Sequence, residues 1–228
     1  MRHHPDAVML FAAGFGARMA PLTDTMPKPL IPVARRPLID HALSLCDGCA
    51  LRVVNLHYKG DMLARHLAGR DVRLSWERDT ILNTGGGLRA ALPLLGKGPV
   101  ITLNTDAVWT GPNPLDTLRA AWAPDRMDAL LLTIPTTRAE GRTGPGDFTV
   151  GPDGRLTRNG DQVYTGAQII RTDRLAEVGE AVFSLNVLWN MFAAEARLFG
   201  TEHLGGWCDV GHPAGIATAE AMLARADV

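Results

Sequence analysis

"LFAAGFGARMAPLTDTMPKPLIPV", residues Leu10 to Val33, sets an apolar run against two glycines, an arginine, and a lysine enclosed by two prolines. An apolar segment ending at Ala12 or Ala13 and passing into Gly14-Phe15-Gly16-Ala17-Arg18 reads as a strand followed by a flexible turn. In an open α/β sheet such a turn lies at the carboxyl edge, where ligands bind. Glycine lets backbone N–H groups approach an anion, and the guanidinium of Arg18 adds a forked donor for phosphate oxygens. Tight packing of a βα turn would use the same glycines. Neither common phosphate motif accounts for the stretch: Met19 holds the place of the third glycine in G-x-G-x-x-G, and no Gly-Lys-Ser/Thr follows. In Met26-Pro27-Lys28-Pro29-Leu30 the prolines restrict the backbone on both sides of Lys28, so its stem leaves a stiff support. A surface lysine needs no such restraint, whereas an ammonium beside the glycine loop could neutralise charge on a phosphoryl group.

Outward from this stretch, apolar β-rich runs at 7–13, 51–58, 72–77, 99–106 and 128–135 alternate with segments of helical spacing, among them PLIDHALSLCDGC, DMLARHLAG, GGLRAALPLLG and NPLDTLRAAWAP. Such alternation predicts crossover units and an α/β fold with a mostly parallel, Rossmann-like mixed sheet flanked by helices. Gly141 to Gly154 is rich in glycine and proline, and Asn159-Gly160 reads as a tight turn, so a small mixed β region is expected against the parallel sheet. The tail HPAGIATAEAMLARADV has the spacing of a closing helix. No repeat or linker divides the chain, which reads as a single domain over 1–228.

The 228 residues are 46% hydrophobic and 21% charged, with a net charge of -1, values that fit a globular enzyme and give no basic field for a nucleic-acid polymer. The glycines interrupt the N-terminal apolar run long before the roughly 20 residues a bilayer crossing needs, and no cleavage-site pattern follows. Cys46, Cys49 and Cys208 make no even disulfide framework. The lone CxxC reads as two helix-end thiols more readily than as a redox pair or half a zinc site, and the set fits a reducing cytoplasm.

Taken together, A-A-G-F-G-A-R-M-A-P-L-T-D-T-M-P-K-P-L resembles the signature of the sugar-phosphate nucleotidylyltransferases, A-G-x-G-x-R-[LM]-x-P-L-T followed by P-K-P-L. The resemblance implies a nucleotide-diphospho-sugar transferase fold of the GT-A-like kind, in which the loop of Ala13, Gly14 and Gly16 wraps an NTP. It gives Arg18 and Lys28 the catalytic role of stabilising the α-phosphorus while a sugar 1-phosphate oxygen displaces pyrophosphate. Thr84-Gly85-Gly86-Gly87 is similar to the family's base-reading T-G-G/A segment, although glycines at a helix start also make a simple entry turn or an anion site. Asp106 ends the strand VITLNT in Asn104-Thr105-Asp106, where the family writes G-D or N-G-D, so Thr105 replaces the usual glycine. Trp207-Cys208-Asp209-Val210-Gly211 resembles W-x-D-[VI]-G. The resemblance makes Asp106 and Asp209 the Mg²⁺ carboxylates, in keeping with that ion's preference for one or two carboxylates plus phosphates. Cys208 reads as a small buried residue, not a nucleophile.

Within the family, this length leaves no room for a left-handed β-helix extension, and G-P-G-D-F (144–148) with T-G-G-G resembles the compact N-acetylmuramate-1-phosphate uridylyltransferases of peptidoglycan recycling. The implied partners are small molecules, an NTP and a sugar 1-phosphate, handled by a monomer or small homo-oligomer; UTP and dTTP present the same Watson–Crick edge to a backbone-reading segment. Asp147 fits a sugar contact, a second metal or a loop cap. Asn186, Trp189 and Asn190 fit a sugar wall, although Leu185, Leu188 and Phe192 explain the same segment as the core face of a helix. Mannose, glucose, heptose and phosphocholine enzymes, and a non-catalytic nucleotide-binding regulator, remain the competing readings.

Overall fold

The computed structural model describes residues 5–226. The expected single domain thus includes residues 1–4 and 227–228, which lie outside the described residues.

Strand β1 (Ala7–Phe11) stands at the centre, flanked in parallel by β4 (Leu51–Leu56) on one side and β6 (Val100–Asn104) on the other, with β5 (Arg73–Trp76) parallel to β4 at the edge. Residues Ala7 to Leu10 are all buried, the continuous apolar character required of a parallel strand covered on both faces. Successive side chains point to opposite faces, so Val8 and Leu10 join one core while Ala7 and Met9 join another. Helices α1 (Leu38–Ser44), α2 (Gly60–Leu67) and α4 (Pro114–Ala121) cover the first face through Ile39, Leu63 and Leu115. Helices α3 (Asn83–Leu95) and α5 (Asn186–Ala194) cover the second through Leu88, Leu188 and Phe192. The start of α4 follows elementary capping: Asn113 Oδ1 accepts from Leu115 N at 2.8 Å and Pro114 takes the first helical position.

The sheet continues past β6 in an order that the alternation of strands and helices does not specify. Strand β12 (Gln162–Ile170) lies antiparallel between β6 and β8 (Ala129–Pro135), and β13 (Leu198–Glu202) runs parallel to β8. The expected run 128–135 is therefore a strand, but it is separated from the parallel block by a later one. Strands β10 (Gly146–Val150) and β11 (Leu156–Gly160) extend the same sheet, so the small β region is continuous with it and does not pack on its face. At Asn159-Gly160 the chain does not form a two-residue hairpin. Phe148 pairs with Arg158 on one side and Gln162 on the other, so the chain passes around the end of β10, with Asn159 at a positive φ of 65°.

Two small sheets complete the fold. Strands β2 (Pro32–Val33) and β3 (Arg36–Pro37) pair beside α1, while β7 (Ala107–Trp109), β14 (Trp207–Asp209) and β9 (Ala139–Glu140) form the other. The closing helix α6 (Ala214–Ala226) packs Ala219 and Met222 against Val33, Val108 and Val210. No helix among the described residues is long and apolar enough to cross a membrane.

Leu88 is fully buried where α3 meets the sheet. Leu88→Ala should lower the unfolding free energy by about 2–5 kcal/mol, read as a shift in the urea midpoint; a variant as stable as the parent would contradict this packing.

Candidate active site

The glycine loop leaves β1 at the carboxyl edge of the sheet. Gly16 has φ +64°, and a Cβ there would lie 2.9 Å from both Lys28 Cβ and Thr23 Cγ2, so glycine is required by conformation and by space. Thr23 Oγ1 donates to Gly16 O at 3.2 Å, and Tyr58 Oη donates to Thr23 O at 2.9 Å, tying the loop to the end of β4. Arg18 lies in a 3-10 turn anchored by fully buried Met19, and Lys28 opens a second turn held by buried Pro29. The stiff support reaches its object: Lys28 Nζ is 2.7 Å from Asp106 Oδ2, in an ion pair whose lysine side chain is only 12% exposed.

Asp106 follows β6, and Asp209 ends β14. The antiparallel ladder pairs Asp209 with Ala107, and Val210 N donates to Asp106 O at 2.8 Å, so main-chain bonds bring the two carboxylates together from about a hundred residues apart. Burial, and then the negative charge of Asp106, push the Asp209 carboxyl above its ordinary value of 3.8, against the pull of Lys28, Arg18 and Arg142. Gly211 abuts both Asp209 Oδ2 and Arg18 Nη1. Thr105, at the position where the family has glycine, is buried and donates its hydroxyl to Phe11 O at 2.7 Å. The replacement thus fastens the end of β6 to the end of β1. Burial raises the Cys208 thiol to about 12, so it carries no thiolate near neutrality. Cys46 and Cys49 are buried too; the hydrogen bond to Cys46 and the charge of Arg119, whose Nη2 lies 2.9 Å from its sulfur, pull the Cys49 thiol down.

Two cavities meet at these residues. The first, ≈ 570 Å³, is lined by Ala13, Gly14, Gly16, Arg18, Lys28 and Thr84 among others. The second, ≈ 380 Å³, shares Arg18, Thr84 and Asp106 with it and adds Asp147, Asn186 and Asp209. Gly85 reaches neither. Its N–H donates to Phe183 O at 2.9 Å, and a Cβ on it would lie 2.3 Å from the Phe183 ring, so this glycine makes room for the segment that covers the start of α3. Thr84 alone of the Thr84–Gly87 run lines the cavities, with its hydroxyl accepting from Leu185 N at 3.0 Å. Asp147 accepts from both Nη atoms of Arg142 (2.8 and 3.1 Å) and from Tyr164 N (2.9 Å), contacts of a loop cap at a cavity wall. Asn186 donates to Ser184 Oγ at the start of α5. Leu185, Leu188 and Phe192 are buried, while Trp189 serves both purposes: it lines the second cavity and donates Nε1 to buried Gln168 Oε1 at 2.8 Å.

Sequence reasoning passed over a polar chain beneath the first cavity. Ala12 N donates to Asn55 Oδ1 (2.7 Å), Asn55 Nδ2 to Glu77 Oε1 (2.7 Å), and Leu82 N to Glu77 Oε2 (2.7 Å). Glu77 is 3% exposed, and the chain joins the glycine loop to the start of α3. The signal was present: Asn55 interrupts an otherwise apolar strand, and Glu77 ends another.

The chain is similar to known proteins over nearly its whole length. Residues 8–225 match the family profile described as the MobA-like NTP transferase domain. An N-acetylmuramate alpha-1-phosphate uridylyltransferase of Caulobacter vibrioides is 39% identical, over 99% of this chain and 100% of that protein. The enzyme of the same name from Neisseria meningitidis serogroup B is 32% identical, over 94% and 96%. In fold, the crystal structure of HddC from Yersinia pseudotuberculosis complexed with GMP-PN superposes with a TM-score of 0.74 at 16% identity, covering 95% of this chain and 99% of that one.

Glu77→Gln leaves one acceptor oxygen for two buried donors. It should lower the unfolding free energy by about 1–3 kcal/mol in urea; an unchanged midpoint would remove the network from any structural role.

Proposed function

The chain belongs to the MobA-like NTP transferase family, and on that premise we propose that this nucleotidyltransferase joins UMP from UTP to N-acetylmuramate 1-phosphate, forming UDP-N-acetylmuramate. The observation that carries the reading is the juncture of the two cavities, where Arg18 and Lys28 meet Asp106 and Asp209. Support for the substrate pair comes from the two uridylyltransferases similar to this chain over nearly its whole length.

In this reading UTP occupies the first cavity, its phosphates against the backbone of Ala13, Gly14 and Gly16, with Thr84 beside the nucleoside. The sugar phosphate enters the second cavity, with Asn186 and Asp147 on its walls. A phosphate oxygen of the sugar 1-phosphate forms a bond to the α-phosphorus as the bond to the bridging oxygen breaks, and pyrophosphate departs. No covalent enzyme intermediate is needed, so the residues contribute alignment and charge neutralisation. Arg18 and Lys28 offer their cationic donors to the oxygens around the α-phosphorus.

Asp106 and Asp209 fit a divalent cation. They are hard oxygen donors brought together by the main chain, and the facing charge of Asp106 already disfavours ionised Asp209. Among the described residues no group of three or more His, Cys, Asp or Glu side chains gathers, so the two aspartates and the substrate phosphates would hold Mg²⁺. Bound there, Mg²⁺ would supply Lewis-acid neutralisation of phosphate oxygens. The reaction is assigned to one cytoplasmic domain, with no polymer or membrane partner.

Pyrophosphate release should occur with Mg²⁺, UTP and N-acetylmuramate 1-phosphate, and be weaker with glucose or mannose 1-phosphate or another NTP. Preference for a different pair would move the substrate, and silence across the panel would remove the catalytic reading. Asp106→Asn and Asp209→Asn should each cost on the order of 10²-fold or more in kcat; turnover within about tenfold of the parent would sink the metal assignment. Stability should move the other way for Asp209→Asn. A raised carboxyl pKa means that ionisation opposes folding, so the substitution should leave the melting temperature at pH 7 unchanged or higher, with any gain fading as pH falls toward 3.8.

A further inference from the structure

Three arginines line the second cavity: Arg18, Arg142 and Arg158. Arg18 belongs to the reaction centre, where it lies beside Gly211 and Asp209. Arg142 is committed to both oxygens of Asp147 and to Pro145 O. Arg158 is different. Among the described residues it forms no ion pair, and its guanidinium is steadied by neutral groups. Nη2 donates to Asn190 Oδ1 at 2.9 Å, and the guanidinium carbon lies 4.9 Å from the Phe148 ring centroid and 5.5 Å from that of Trp189. The side chain as a whole is exposed, and partial desolvation of the guanidinium against these rings lowers its pKa, with the field of Asp147 opposing.

The acceptor of the proposed reaction carries such an anion. N-acetylmuramate bears a lactyl carboxylate on C3, two ring bonds from the carbon that holds the phosphate. A carboxylate drawn from water into a cavity walled by Tyr164, Phe148 and Trp189 needs a charged partner. A guanidinium resting over two rings and bonded to Asn190, with no acidic partner among the described residues, meets that need at little entropic cost.

We propose that Arg158 binds the lactyl carboxylate of the acceptor and thereby selects acidic sugar 1-phosphates over neutral ones, Asn190 holding the guanidinium in place. The inference rests on the uridylyltransferase reading above. It concerns recognition at the sugar side, since Arg158 lies on β11 and lines the second cavity but not the first.

The test compares N-acetylmuramate 1-phosphate with its lactyl methyl ester, in which the charge is removed and the rest of the sugar kept. The parent enzyme should prefer the acid. Arg158→Gln should lower kcat/KM for the acid by about tenfold to a hundredfold and leave that for the ester within about threefold. Arg158→Lys should recover part of the loss, and UTP affinity by equilibrium titration should be unchanged in both variants. Equal losses for acid and ester, or none, would overturn the assignment and leave Arg158 as a cover for Phe148 and Trp189. A parent enzyme that uses acid and ester equally would overturn it as well. If the parent ignores both muramate phosphates but turns over a neutral sugar 1-phosphate, the functional reading falls, and the carboxylate assignment with it.

Discussion

Two like-charged carboxylates are held together here by main-chain geometry, and the junction of the two cavities depends on that constraint. The β7–β14 ladder pairs Ala107 with Asp209 and adds a bond from Val210 N to Asp106 O. Behind it, Val108, Cys208 and Val210 are buried against Met19 and α6, so the ladder cannot spread to relieve the repulsion. Lys28 and Arg18 offset part of the charge, yet burial and Asp106 still disfavour ionised Asp209. Apolar packing thus supports a locally unfavourable arrangement of charge, the pattern expected where a site is shaped for a cation and phosphates.

The first cavity is organised by a different buried carboxylate. Glu77 accepts from Asn55 Nδ2 and Leu82 N, and Asn55 in turn accepts from Ala12 N, so the end of β1 and the entry to α3 are fixed relative to each other. Asn55 passes the connection through the sheet edge. Thr105 performs a similar office between β6 and β1 through Phe11 O. The carboxyl edge is therefore a set of strand ends bonded laterally, which gives a flexible glycine loop a rigid frame.

Much of this was legible in the chain. The alternating apolar runs predict the parallel block and its helices because burial on both faces demands continuous apolar strands, and the stretch from Leu10 to Leu30 points to the cavity because a glycine turn and a proline-framed lysine follow directly on a strand's carboxyl end. The insertion of β12 between β6 and β8 was not legible, since an apolar run specifies a strand without naming its neighbours. The same limit hid the path around the end of β10, where the Asn159-Gly160 pair signalled positive φ but not what the chain was turning around. At the site, Thr84 was placed at the cavity and Gly85 was not: a glycine admits close approach, and the sequence did not say that Phe183 is what approaches. Asn55, Glu77 and Gln168 escaped notice because a single polar residue in an apolar strand declares itself only once its partner is known.

The strands added beyond β6 explain how so short a chain can wall two cavities. By continuing the sheet through β12, β10 and β11, the chain brings Tyr164, Phe148 and Arg158 to the second cavity without a separate layer, and α5 closes that cavity with Trp189. Trp189 is fixed in turn by Gln168, whose Nε2 donates to Thr102 Oγ1 on β6 at 3.1 Å, so this wall is referenced to the same strand that leads into Asp106. Arg142 links the halves electrostatically, since it pairs with Asp147 on β10 and also draws the Asp209 carboxyl down. The charges of β10 and β11 thus border the second cavity, while the ladder that confines the two aspartates depends on packing elsewhere, beneath α6.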